Sequence, residues 1–218
     1  MKNNIYVFLI LSSLLITSCT SLVYSPSINL PEKIHKDETS VIGAFERMPA
    51  TNYSEENGAI VAIQHSFSDK LCIQFKYWAA FNVFKTNQDY LHGASLTAYY
   101  LLSDSNSAYK LFFSPNIGAS LINNAFEFGA IGANLALQTP GLWILKPFGA
   151  IGLVYGKENF NREGYWGIGV LANLGADIKI FKKINAKIEF AFPTIYNKLD
   201  NEWTFYYLLP TIGFSYGL

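Results

Sequence analysis

The chain has 218 residues, enough for one domain, and its 16 basic and 16 acidic residues leave no net charge to draw it to nucleic acid or to an acidic polymer. Charged residues make up only 15 % of the chain and aromatics 16 %, with mildly positive hydropathy, yet nothing after the first twenty residues approaches an apolar helix long enough to cross a bilayer. High apolar content without a helical span is the composition of a chain that crosses a membrane with strands.

The chain opens with Lys2, an apolar stretch from Ile5 to Ile16, and then Ile16-Thr17-Ser18-Cys19. Roughly 12 apolar residues suit the hydrophobic region of a secretory signal and are too few for a spanning helix. The apolar-small-small-Cys order resembles a lipobox. The resemblance implies cleavage before Cys19 and acylation of its thiol and new amino group, with residues 1–18 removed as a signal peptide. An ordinary secretory cleavage, with Cys19 an incidental thiol, is the alternative. Thr20, where an Asp would favour inner-membrane retention, points to the outer membrane. With Cys19 acylated, Cys72 is the sole remaining thiol, so no intrachain disulfide forms, and no Cys/His cluster has metal-ligand spacing. No metal or other cofactor is expected.

Residues 19–38 read as a solvated, lipid-anchored tether: Pro26 and Pro31 break regular structure, and Glu32, Lys33, Lys36, Asp37 and Glu38 keep the segment wet. From residue 39 to 218 the chain alternates polar and apolar residues in runs separated by breaks. Ten strands are predicted, at 39–48, 57–68, 71–83, 90–102, 108–120, 125–138, 142–156, 164–181, 184–196 and 203–218; eight is the alternative. The breaks alternate in length. Asp69-Lys70, Ser103 to Ser107, Thr139-Pro140-Gly141 and Lys182-Lys183 are short; the intervening connections, such as Pro49 to Glu56 and Gly156 to Glu163, are mostly longer. An even count puts both termini on one side.

Each run has two unlike faces. In 164–181, Trp166, Ile168, Val170, Ala172, Leu174, Ala176, Ile178 and Ile180 oppose Gly167, Gly169, Leu171, Asn173, Gly175, Asp177 and Lys179. The polar faces collect Lys76, Lys110, Asn116, Asn134, Lys146, Asn173, Asp177, Lys179, Lys187 and Glu189. Charges facing lipid cost several kcal/mol each at mid-bilayer, so these residues are assigned to the lumen as an ion-pair network that fills a narrow barrel. The apolar faces carry Trp143, Tyr155, Trp166, Tyr206 and Tyr216 near strand ends, as an aromatic girdle does. With the rise per residue and a tilt near 40–45°, Trp143 and Tyr155 stand roughly 28–30 Å apart along the membrane normal, and Tyr206 and Tyr216 about 25 Å.

The run closes with Thr211-Ile-Gly-Phe-Ser-Tyr-Gly-Leu218, in which Ile212, Phe214, Tyr216 and Leu218 share a face. Thr211, Gly213, Tyr216 and Leu218 resemble the β-signal of bacterial outer-membrane barrels, read by the barrel-assembly machinery. The post-signal chain as a whole resembles small outer-membrane β-barrel proteins. The resemblance implies an all-β, antiparallel up-and-down transmembrane barrel in outer-membrane lipid, its N-terminal lipid anchor on the periplasmic side. It implies the barrel-assembly and lipoprotein-sorting machinery as partners, and says nothing of oligomeric state.

Function within that class stays open. A structural or surface-interaction role in the cell envelope is favoured. One alternative is a rim-active enzyme on lipid A, phospholipid or peptide; another is a soluble lipoprotein barrel that binds a small apolar ligand. For the enzyme reading the candidate is His92, but Asp89 and Ser95 lie three residues away, on the opposite strand face, so no catalytic residue is assigned.

Overall fold

Alternation of apolar and polar residues lets a sheet present two unlike faces, and closing such a sheet on itself removes its unpaired edges. The computed structural model describes residues 30–31, 34–48, 56–81, 91–122, 125–158, 165–197, 202–205 and 209–218. Within them lie strands β1 (Thr39–Met48), β2 (Glu56–Ser68), β3 (Leu71–Phe81), β4 (Leu91–Leu101), β5 (Lys110–Ile122), β6 (Ala125–Gln138), β7 (Leu145–Glu158), β8 (Tyr165–Lys179), β9 (Ile184–Asn197), β10 (Glu202–Phe205) and β11 (Leu209–Gly217). Each strand from β1 to β9 pairs antiparallel with the next. β10 and β11 both lie along β9 and together make one crossing, and β11 closes the sheet on β1, from Ser40↔Gly217 to Glu46↔Thr211. The result is a closed ten-stave antiparallel barrel, with ten crossings as predicted.

Several boundaries differ from the sequence-based ones. The strand predicted over 142–156 starts at Leu145. Leu142 and Leu145 exchange backbone hydrogen bonds of 2.7 and 3.0 Å, and Trp143 takes a left-handed φ of 65°, so 142–145 is a tight turn. The strand expected to reach 181 stops at Lys179, where the Ile180 and Phe181 N–H groups both donate to Ile184 O and Phe181 O accepts from Ile184 N. The final run is split into β10 and β11, with Pro210, which has no N–H to give to a ladder, near the start of β11. The β2–β3, β4–β5, β6–β7 and β8–β9 connections lie at one end of the barrel, hereafter the turn end; the connections at the other end form the loop end.

The faces are inverted relative to a soluble barrel. Ile117, Ile151, Leu153 and Phe214 point outward and are 58, 60, 61 and 57 % exposed. Gln64, Gln74, Lys76, Asn173, Asp177, Lys187, Glu189 and Thr211 point inward and are buried. Inward glycines make room for the few large inward side chains. Gly93 stands opposite Trp78 in register, and a Cβ there would sit 2.3 Å from the indole ring. Gly175 is likewise opposite Phe148, 2.4 Å from its ring.

The expected solvated tether is only partly so. His35 to Glu38 are exposed, but Leu30, Pro31 and Ile34 are buried. Leu30 and Ile34 pack against inward-facing Cys72, Tyr99, Leu101, Phe112, Ala136 and Phe148 at the turn end of the lumen. The physical reason is that this end of the interior is apolar, and fully burying a Leu or Ile is worth about 1.5–3 kcal/mol. The exposed part is tied to the β2–β3 turn: Lys36 N donates to Asp69 Oδ1 at 3.0 Å, Asp37 N to Ser66 O at 2.7 Å, and Ser66 N to Glu38 O at 2.9 Å.

Candidate functional site: the barrel interior

Two charged groups occupy the interior. The first is centred on Asp177. Its Oδ1 pairs with Lys187 Nζ at 2.6 Å, the two side chains being 2 and 7 % exposed, and its Oδ2 accepts from Gln138 Nε2 at 3.3 Å. In register, Asp177 stands between Lys187 on β9 and Lys146 on β7. The same Lys187 ammonium donates to the backbone carbonyl of Leu30 at 2.8 Å. One lysine therefore ties the N-terminal segment to the barrel wall.

The second group is centred on Lys76. Glu46 and Glu189 flank Thr211 in register on the inner wall, and both act electrostatically on the buried Lys76 ammonium. Lys76 Nζ also lies 5.8 Å from the Trp78 ring centroid, within cation–π range. Glu189 Oε1 accepts from Asn173 Nδ2 at 2.7 Å. Tyr99 OH donates to Gln74 Oε1 at 3.3 Å between this layer and the apolar one around Leu30. Side chains thus meet across the barrel through ion pairs and amides, as charge at low dielectric requires.

Of the residues assigned to the lumen from sequence, Lys76, Asp177, Lys187 and Glu189 are buried inside, as are Asn116, Asn134 and Asn173. Lys110, Lys146 and Lys179 share the inward parity but sit at the turn-end mouth. Lys110, whose Nζ donates to Ser105 O, and Lys146 border a cavity of about 440 Å³ with Gln138 and Pro140. Lys179 is exposed beside Lys182 and Lys183 at a second mouth cavity of about 210 Å³. Alternation reports the face and not the depth, which is why these three were grouped with the buried ones. Glu46, Gln138 and Leu30 were missed. The parity of Ile42, Ala44 and Glu46 against outward Phe45 could have found the first; Leu30 precedes any strand pattern.

On the outer face, Tyr155 and Tyr216 are exposed at opposite ends of the barrel, and Trp143 is fully exposed in the turn before β7 rather than on the strand that carries Tyr155. The same-face separation expected for Trp143 and Tyr155 therefore does not apply. The Trp166 side chain, all of Tyr206 and Cys19 lie outside the described residues. Tyr100 and Tyr109 add to the turn-end level, Tyr77 and Trp203 to the loop-end level. At the other terminus, Thr211 and Gly213 face the lumen, while Tyr216 and Leu218 face out.

His92 is outward-facing and half-buried, and its Nδ1 lies 3.4 Å from Tyr77 OH; Ser95 is buried inside. Ser95 lies on the face opposite His92 as expected, and Asp89 lies outside the described residues. Among the described residues, no group of three or more His, Cys, Asp and Glu side chains is placed to hold a metal ion.

No family model matches the chain, and no curated protein matches its sequence. Solved structures match its fold. The outer-membrane protease OmpT of Escherichia coli superposes at a TM-score of 0.50 and 10 % identity over 88 % of this chain and 100 % of that one. The N-terminal β-barrel domain of Pseudomonas aeruginosa OprF gives 0.40 and 13 % identity over 84 and 98 %. At such identities the likeness is one of fold.

Proposed function

We propose that this chain is an integral outer-membrane β-barrel with a filled, polar lumen, serving a structural or surface-interaction role in the cell envelope. The observation that carries the reading is the inversion of faces. Large apolar side chains cover the outside of the staves between two levels of aromatics, while ion pairs and amides fill the inside. In water the outer face would be an apolar surface far larger than soluble monomers expose; in lipid it is matched. The barrel closes its lumen with its own parts: the two charged groups in the middle, and Leu30 and Ile34 at the turn end.

On this reading the turn end is periplasmic, Cys19 is acylated on that side, and the Thr211–Leu218 strand is the segment read by the barrel-assembly machinery. Lipoprotein sorting would deliver the chain and outer-membrane lipid would receive it. Two experiments test the reading. A closed membrane barrel resists SDS until heated, so unboiled outer-membrane extracts should migrate differently from boiled ones. Identical migration, with release of the protein once its acyl chains are removed, would instead mean a lipid-tethered soluble barrel. For the anchor, labelling cells with an alkyne fatty acid should tag the wild type and not Cys19→Ala; equal labelling of both sinks it.

A further inference from the structure

The connections at the turn end are of two kinds. The β2–β3 and β4–β5 turns are polar: Asp69 and Lys70 form the first, and residues 103–107 of the second are Ser, Asp, Ser, Asn and Ser. The first also holds the exposed N-terminal residues through Asp69 Oδ1 and Ser66 O. The β6–β7 and β8–β9 turns are apolar and basic. Leu142, Trp143 and Ile144 are exposed, Trp143 completely, and so are Ile180 and Phe181. Neither 139–144 nor 179–184 contains an Asp or Glu, whereas the second carries Lys179, Lys182 and Lys183.

These two turns form one surface. Lys179 N donates to Ile144 O at 2.8 Å and Gly217 N to Lys183 O at 2.9 Å, which binds the β6–β7 turn, the β8–β9 turn and the end of β11 edge to edge. The outer wall directly behind them is apolar, with Leu145 opposite Ile178 and Ile184 opposite Tyr216 in register. Trp143 is held out by its left-handed φ, a conformation that bulky residues rarely take.

The lysines keep their charge. The Lys183 ammonium lies 6.0 Å from the ring centroid of outward-facing Tyr216, and a ring face attracts a cation without neutralising it. Lys179 and Lys182 are exposed at the mouth and make no side-chain hydrogen bond or ion pair among the described residues. The one carboxylate side chain bordering the mouth cavity beside them is Glu38. Exposed Trp and aliphatic side chains among lysines are the chemistry of a segment that lies in the headgroup layer of an anionic membrane. A second copy of the same surface would set three ammoniums against three, which opposes self-association.

We propose that the β6–β7 and β8–β9 turns form a one-sided docking surface for anionic phospholipid headgroups, into which Trp143 inserts, while the β2–β3 and β4–β5 turns stay in water. The proposal rests on the membrane reading above and adds to it a lipid preference confined to one side of the rim.

The test places the full chain in lipid nanodiscs and reads Trp143 as the fluorescence difference between each protein and its Trp143→Phe counterpart. Phosphatidylglycerol and phosphatidylcholine, brominated on the acyl chains near the headgroup, are supplied in turn at equal mole fraction. Brominated lipid should quench Trp143, and the association constant obtained from the quenching should favour phosphatidylglycerol by about fivefold or more, the effect of one lysine near a membrane surface. Replacing Lys179, Lys182 and Lys183 together by Gln should abolish that preference. Ser105→Trp in the Trp143→Phe protein should place a Trp that acrylamide quenches and brominated lipid does not. Each protein is also run boiled and unboiled on an SDS gel. In a heat-shifting wild type, four results overturn the docking surface alone. They are a Trp143 quenched only by acrylamide, a Trp143 shielded from both quenchers as under a protein partner, a lipid preference that is absent or survives the triple substitution, and lipid quenching at position 105 equal to that at 143. A wild type without a heat shift overturns the membrane reading and the surface with it.

Discussion

Replacing Lys76 by Met should be the most damaging single change in the interior, and its effect should be partly reversible by a second change. Lys76 is 2 % exposed, and the two carboxylates that act on it, Glu46 and Glu189, are 2 and 3 % exposed. Removing one partner of a buried ion pair leaves charge without compensation, at a cost of about 3–5 kcal/mol. Here the substitution strands two carboxylates on either side of Thr211, so the cost should fall in that range. Glu189→Gln keeps an oxygen for Asn173 to donate to and removes one of the two charges. The double variant should therefore be more stable than Lys76→Met alone by at least about 1 kcal/mol, within the usual range of coupling between contacting residues. Urea titration in lipid vesicles, read by the fraction of protein that resists SDS without heating, gives all four corners of the cycle. If Lys76→Met unfolds within about 0.5 kcal/mol of wild type, or the second substitution only deepens the loss, the interior charges are not coupled as described.

Three further outcomes follow from particular contacts. Asp177→Asn removes the carboxylate that holds Lys187, the residue bonded to the Leu30 carbonyl, so limited trypsin should cut at Lys36 faster than in wild type while the barrel stays SDS-resistant; unchanged cleavage would detach Lys187 from any role in holding the segment. Ile151→Lys places an ammonium on the outer face midway along β7, 60 % exposed, and should cost about 2–4 kcal/mol in a bilayer, where a soluble barrel would tolerate it; a neutral result in vesicle unfolding argues against lipid there. Gly93→Ala drives a methyl into the Trp78 ring and against the Ala119 backbone carbonyl, and overpacking of that kind costs about 1–3 kcal/mol; equal stability of wild type and variant refutes the fit.

How much of this could be read from sequence follows from what alternation encodes. A period of two assigns each residue to one of two faces, so the inward placement of Lys76, Asp177, Lys187 and Glu189 and the outward placement of Ile212, Phe214 and Tyr216 were legible, and so was an even number of crossings. Depth along the barrel axis is carried only by distance from a strand end, which places most of these charges toward the turn end without separating Lys110, Lys146 and Lys179 at the mouth from the buried ones. Turn conformation was misread at Trp143, because an apolar Leu-Trp-Ile run looks like strand and its left-handed φ is visible only in the backbone. Leu30 and Ile34 were hidden for a different reason. They sit among prolines and charges, and the apolar chamber that takes them is assembled from β3, β4, β5, β6 and β7, none of which is near them in the chain.

That distance has a consequence for the order of events during assembly. Leu30 is among the first described residues, yet its carbonyl meets Lys187, 157 positions later, and its side chain enters a chamber whose walls come from five strands. The head of the chain cannot find its seat until nearly all of the rest has been threaded and β9 is in place. A segment that precedes every strand is therefore seated only after strands far along the chain, and its arrival marks a wall already complete from β3 to β9. An assembly intermediate stalled before β9 joins the wall would carry this segment dangling, with Lys36 open to a trypsin-like protease.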